Sequence, residues 1–286
     1  MTNKWLKPFL TLLTVGLLAS LLPSAAVDPW NLLSPKKLAT MIFALAFIQV
    51  FGSVLNRILG LRTGAILTGF LGGLVSSTAT TASLARKSKI ESRADSTSEM
   101  LIFLSATGAM LVEGFALVWA GTSGFNLTTL FVFVGPLIAT GTMIYFYSCK
   151  VTDHSAPSED IEFKVLPIFK LSIFIVSILG LSKLLQNFFG QNGLMILTFL
   201  VSLFEIHGSV IANVQLHQNK IINSEFLSGL VAISIVASYL SKVFLISTLG
   251  SAQLRVQSIK SSLFLLLSLS ISWWISIGLT DGAWFK

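Results

Sequence analysis

Nine apolar runs, each close to the roughly 20 residues a helix needs to cross a hydrocarbon core, account for most of this chain. They fall near residues 8–25, 38–58, 64–85, 99–120, 128–148, 166–187, 194–216, 225–248 and 261–280. In lipid only helices and closed barrels satisfy their own backbone polar groups. These runs are too long and too evenly apolar for the alternating strands of a barrel. The composition agrees, with 53% hydrophobic and only 11% charged residues, where a soluble domain carries about a quarter charged. The expected fold is all-α, a polytopic transmembrane helical bundle of about nine spans. One cysteine, Cys149, leaves no internal disulfide to form.

The surplus of 19 Lys+Arg over 12 Asp+Glu points to loops and anionic membrane lipid as partners. It does not point to nucleic acid, because no base-stacking motif or basic groove accompanies it. In a nine-span arrangement Lys36, Lys37, Arg86, Lys87, Lys89, Arg93, Lys150, Lys164, Lys220 and Lys286 share one side. Lys4, Lys7, Arg57, Arg62, Arg255 and Lys260 share the other. The richer side is expected to be cytoplasmic and the N-terminus outside, although Lys4 and Lys7 pull the other way. Lys170 and Lys183 lie within spans and are expected to snorkel. Residues 86–98 (RKSKIESRADSTS) form the strongest cytoplasmic loop, and 149–165 a mixed-charge linker. The first run, with Ser24-Ala25-Ala26 behind it, fits a cleavable signal peptide and a retained span equally.

The chain also resembles itself. Residues 67–87 read LTGFLGGLVSSTATTASLARK and residues 197–216 read LTFLVSLFEIHGSVIANVQL. Dropping one residue near Gly69 aligns Phe70-Leu71 with Phe199-Leu200, Leu74 with Leu203 and Thr80 with Ser209. This predicts two internal repeats of about four helices plus one extra helix. Repeat 1 covers 1–126 with its motif at 67–89. Repeat 2 covers 127–250 with its motif at 197–219, and 251–286 is a C-terminal helix. Duplicated membrane folds place their sites near the midplane, where the copies meet.

Polar residues inside the spans mark the candidate site. Ser76, Ser77, Thr78 and Thr80 crowd one helix. With Gly69, Gly72 and Gly73 they read two ways. Small residues four apart let helices approach closely. Alternatively, a helix loosened at Gly72-Gly73 frees carbonyls and hydroxyls to hold an ion or polar solute. The second motif holds Glu205, His207, Gly208, Ser209 and Asn213. In a regular helix Glu205, Ser209 and Asn213 share a stripe, while His207 lies about 200° from Glu205. The two can chelate one metal only across a break at Gly208, and no second His or Cys stands at ligand spacing. Glu113 and Lys242 are the other deep charges. A charge at the bilayer centre costs at least about 2.5 kcal/mol, so the two are expected to pair, or Lys242, within about two turns of its span's end, to snorkel.

Nothing marks an enzyme or a bound cofactor. The chain has no nucleotide-binding loop, nucleophile elbow, zincin helix or paired-cysteine site.

The stretch Gly69–Arg86, GFLGGLVSSTATTASLAR, closely resembles the signature of an uncharacterised bacterial and archaeal membrane domain that often follows an MgtC/SapB-like domain. The resemblance extends upstream to Leu22-Pro23 and Asp28–Lys37, and downstream to Lys242 and Leu249-Gly250. It implies that the first run is a retained span and that the protein sits in a bacterial or archaeal cytoplasmic (inner) membrane. It supplies no activity, although MgtC-type partners suggest cation homeostasis. Relatives tend to show Asp-x-Asp at the second motif, where this chain has Glu205-Ile206-His207, a change that brings pH sensitivity.

Two functions are expected. In the first, a small ion or polar solute moves between the repeats, with Ser76, Ser77, Thr78 and Thr80 as ligands. Glu205 and His207 then carry coupling charge or protons. In the second, the protein transports nothing and binds lipid, a second copy or another membrane protein as a regulator or scaffold.

Overall fold

The computed structural model describes residues 34–59, 64–90, 96–122, 127–150 and 165–280, with 13, 14, 16, 17, 20–23 and 25 of the first run. Most of that first run lies outside the described residues. So do 91–95 of the basic loop and 151–164 of the mixed-charge linker. The side chains of Lys170 and Lys183 also lie outside them. Among the described residues every regular element is a helix: α1 (Pro35–Leu59), α2 (Ala65–Ile90), α3 (Ser96–Gly121), α4 (Leu127–Ser148), α5 (Val165–Ser202), α6 (Ile206–Gln218), α7 (Ser224–Leu249) and α8 (Ala252–Thr280). Five of them, α2, α3, α4, α7 and α8, are long and apolar enough to cross a membrane. The chain is a multi-pass helical membrane protein.

Local chemistry sets the helix ends. Pro35 opens α1, a first-turn position where a missing N–H leaves nothing unpaired. Asn223 caps α7 by accepting from the Phe226 N–H at 2.9 Å. Ser251 caps α8 by accepting from the Leu254 N–H at 3.3 Å. Both side chains satisfy donors that the first turn of a helix leaves free. The last helix therefore starts at Ala252, well before the apolar run at 261.

α3 lies at the centre. In the most apolar stretch of α3, 78% of residues are buried, against 33% in α8. It packs on α1, α2, α4, α6 and α8, as expected of a helix that is apolar all round. α2 approaches it most closely at Gly69 and Gly73. A Cβ on Gly69 would sit 2.5 Å from the Ile102 carbonyl oxygen, and one on Gly73 would sit 2.6 Å from the Ala106 Cα. These glycines are packing positions.

α5 is two helices, 165–189 and 191–202, joined at Gly190 (φ 59°, ψ −142°). That backbone favours glycine. The chain doubles back there, so that a Cβ on Gly193 would lie 2.5 Å from the Leu185 carbonyl oxygen.

Where α4 and α8 cross, a side chain bridges two backbone groups one turn apart. Pro136 interrupts the α4 ladder. One residue earlier, the Gly135 N–H donates to Ser272 Oγ at 3.1 Å, while the same hydroxyl donates to the Phe131 carbonyl. Gly135 and Phe131 stand in the i and i−4 relation of a helical bond, and Ser272 contacts both. Ser272→Ala is expected to remove both hydrogen bonds and cost about 1–3 kcal/mol. Thermal unfolding in detergent, followed by the monodisperse fraction, measures the loss.

Candidate functional site

Two helices are broken inside the bundle. In α2 the break is Ser76, whose backbone is extended (φ −168°, ψ 102°). Its hydroxyl accepts from the Ala79 N–H at 3.2 Å, as an N-cap does for a new helix. The second break falls between α5 and α6 at Leu203–Glu205. Glu205 is also extended (φ −148°, ψ 98°), and its carboxylate accepts from the His207 N–H at 3.1 Å. The breaks thus fall at Ser76 and Glu205, and the glycines take another role. Gly72 and Gly73 remain helical and buried against α3, and Gly208 is a buried residue inside α6. A glycine lacks a Cβ either to bend or to admit a neighbour, and here Gly69 and Gly73 admit α3.

α6 is unusual for a helix with His, Ser, Asn and Gln in its sequence, because every residue from Ile206 to Leu216 is buried. Irregular backbone at membrane depth is tolerated only where protein or a wet cavity surrounds it. Lys37 closes its other end, with Nζ 3.3 Å from the Gln218 carbonyl oxygen, where a cation complements the helix dipole.

The break lets Glu205 and His207 meet. His207 Nδ1 lies 3.2 Å from Glu205 Oε1, and Nε2 lies 3.0 Å from Glu113 Oε2 on α3. A regular helix would point the two residues apart, but a capping side chain folds back over the first turn. Exposure falls along the series. The Glu205 side chain is 40% exposed, His207 9% and Glu113 1%. Among the described residues neither Glu113 oxygen has a hydrogen-bond partner. The Nε2 contact is close enough for a charge interaction without being aligned as a hydrogen bond.

The ion-pair partner of Glu113, when the ring is doubly protonated, is therefore His207. Among the described residues Glu113 and Lys242 form no ion pair, which corrects the expected pairing. Lys242 is fully buried. Its ammonium donates to Met110 Sδ at 2.7 Å and to Ser238 Oγ at 3.2 Å, yet stays within electrostatic reach of Glu113 and Glu205. Lys242 sits too deep to snorkel and is held by a soft sulfur and a hydroxyl.

The other expected site residues divide. Ser209 Oγ meets Ser234 Oγ at 3.5 Å, and Asn213 Oδ1 accepts from Thr198 at 3.3 Å. The expected Glu205–Ser209–Asn213 stripe is cut, because Glu205 precedes the helix. Ser77 is buried and its carbonyl accepts from the Thr81 hydroxyl at 2.8 Å, while Thr78 and Thr80 are half-buried. Among the described residues no hydrogen bond or ion pair joins Ser76, Ser77, Thr78 or Thr80 to Glu205 or His207. Met110, Ser238, Tyr239 and Gln215 are functional candidates that the sequence did not single out. Among the described residues the Tyr239 hydroxyl and both ends of the Gln215 amide are buried without hydrogen-bond partners. Their spacing to charged residues within α3 and α7 was the available signal: Met110 is one turn from Glu113, and Ser238 one turn from Lys242.

A proton count limits what this cluster can do. Making both imidazole contacts hydrogen bonds requires two protons among Glu113, His207 and Glu205. Either histidine is doubly protonated, or one carboxyl is protonated and histidine is neutral. Both arrangements leave the three residues with one net negative charge, which Lys242 balances when charged. Removing one proton sets a bare nitrogen against a carboxylate and breaks one contact. Both ring nitrogens are used in this way, and no group of three metal-ligating side chains occurs among the described residues.

No curated protein and no solved structure matches the chain. A family model does, over residues 44–250. That match takes in α2, both helix breaks, Glu113, Glu205, His207 and Lys242, and it places the chain in the family described as Domain of unknown function (DUF4010).

Proposed function

We propose that this protein carries a small ion or polar solute across the membrane, through a site between two copies of a four-helix unit. The observation that carries the proposal is the buried Glu113–His207–Glu205 cluster at the start of the half-helix α6. Ionisable groups are costly in a bilayer and usually line a path, and broken helices are a recurring element of transporter sites.

The helix order supports copies running over 35–148 and 165–280, a cut different from the one that the motif alone suggests. Ser76 and Glu205, the two breaks, stand as far apart in the chain as Glu113 and Lys242. The packing is reciprocal as well. α2 packs on α7 as α6 packs on α3, and α4 packs on α8. An even number of helices per copy leaves both copies with the same orientation, related about an axis along the membrane normal. The half-helices beginning at Ser76 and Glu205 then start at the same depth. On the strength of the signature, the membrane is the cytoplasmic one of a bacterium or archaeon.

The test is flux in proteoliposomes across a panel of sodium, potassium, magnesium, chloride and phosphate. Glu205→Gln keeps the cap, since an amide oxygen still accepts from the His207 N–H, and the side chain is partly exposed. It is expected to reduce flux to background with an unchanged gel-filtration profile. Absence of wild-type flux for every member of the panel favours the regulator or scaffold instead, and full flux in Glu205→Gln places the path away from this cluster.

A further inference from the structure

We infer that the ion bound at this site is the proton, and that Glu205, His207 and Glu113 form a relay loading a sealed carboxylate from an accessible one. The inference deepens the transport reading and rests on it for the coupled solute.

Geometry is the warrant. Glu205 is 40% exposed, while Glu113 is 1% exposed and, among the described residues, both its oxygens lack hydrogen-bond partners. Among the described residues the group that touches both is His207, one nitrogen to each. An imidazole with opposite nitrogens on two carboxylates can take a proton on one face and give one up on the other. A metal ion would need ligands that converge, whereas these three are strung in a line.

The step balances. A proton on Glu205 passes from Oε1 to His207 Nδ1, and a tilt of the ring that aligns Nε2–H with Glu113 Oε2, 3.0 Å away, lets the Nε2 proton pass to that oxygen. The start is a Glu205 acid, a neutral Nε2–H imidazole and a Glu113 carboxylate. The end is a Glu205 carboxylate, a neutral Nδ1–H imidazole and a Glu113 acid. Net charge and proton number are the same at both ends. The reverse step unloads Glu113 along the same line, so the ring need not flip.

Among the described residues the other charged group facing the cluster is Lys242, from α7, which contributes positive charge to both carboxylates. Its ammonium donates to Met110 and Ser238.

The relay can be read without knowing the solute. Infrared difference spectroscopy after a pH jump on the purified protein in nanodiscs is expected to show a carboxylic-acid carbonyl band that Glu113→Gln removes. In His207→Asn the band should appear more slowly, on the order of a hundredfold, the low end of what a positioned proton-transfer group contributes. Glu205→Gln, altered only at the partly exposed end, should slow it as well. The relay is overturned if wild type shows no band lost in Glu113→Gln, or if the band rises at the wild-type rate in either slowed variant. Transport fails separately. The band and its slowing without flux of any panel ion keep the relay and remove the transport reading. Flux that ignores an imposed proton gradient, with a fast band in His207→Asn, removes the relay alone.

Discussion

Replacing His207 with leucine is expected to lower the stability of the folded protein by about 3–5 kcal/mol, the penalty for breaking a buried ion pair from one side. Glu113 is the reason. Among the described residues its carboxylate, 1% exposed, has no hydrogen-bond partner, and His207 Nε2 at 3.0 Å supplies its counter-charge in the arrangement with a doubly protonated ring. Leucine restores volume and leaves the charge uncompensated. Lowering the pH should recover part of the loss, because a protonated Glu113 no longer needs a counter-charge. The double variant Glu113→Leu/His207→Leu should return most of the stability, since replacing a whole buried pair with apolar residues is often neutral or better. Reversible unfolding in mixed micelles measures the four corners of this cycle. A coupling energy near zero would show that the contact is not an ion pair.

Much of the helix layout was legible in the sequence, because a chain with so few charges must end its helices where charge, glycine and proline collect. α1, α3, α4 and α7 each begin and end within a few residues of an apolar run. The last helix was not, since Arg255 and Lys260 read as loop residues. A Ser251 cap starts that helix before them. The site was legible as a list of residue types and not as an arrangement. Glu205 and His207 looked incompatible only because a regular helix was assumed. Two residues apart across a helix start, the cap geometry brings them within 3.2 Å. Glu113 seemed to match Lys242 by charge, but sequence carries no depth or azimuth between helices far apart in the chain. Nothing in the one-dimensional pattern shows that α6 slides its first turn against α3. The glycines illustrate the same limit, because bending and close approach both need a missing Cβ, and only the neighbour's position separates them.

That separation carries the second large effect. Gly73→Val is expected to cost about 1–3 kcal/mol, the usual penalty for overpacking. It should also lower whatever flux the wild type shows. The Cβ of any residue at position 73 would lie 2.6 Å from the Ala106 Cα and 2.7 Å from its carbonyl oxygen. Those atoms are backbone, so no side-chain rotation relieves the clash, and α3 has to move. Ala106 and Glu113 are two turns apart on nearly the same face of α3. A shift that makes room at Ala106 therefore displaces the carboxylate facing His207. Gly69→Val pushes at Ile102, one turn further from Glu113, and should cost similar stability with a smaller effect on flux. Gly141→Ala is the control. A Cβ there meets nothing within 4 Å, so alanine should stabilise α4 by about 0.5–1 kcal/mol and leave flux alone. Ser272→Ala separates the remaining possibility, since it weakens the α4–α8 crossing without pressing on α3. If it reduced flux as much as Gly73→Val at equal stability loss, the effect would be general loosening of the bundle. If only the glycine variants reduce flux, the register of α2 on α3 is what holds Glu113 against His207.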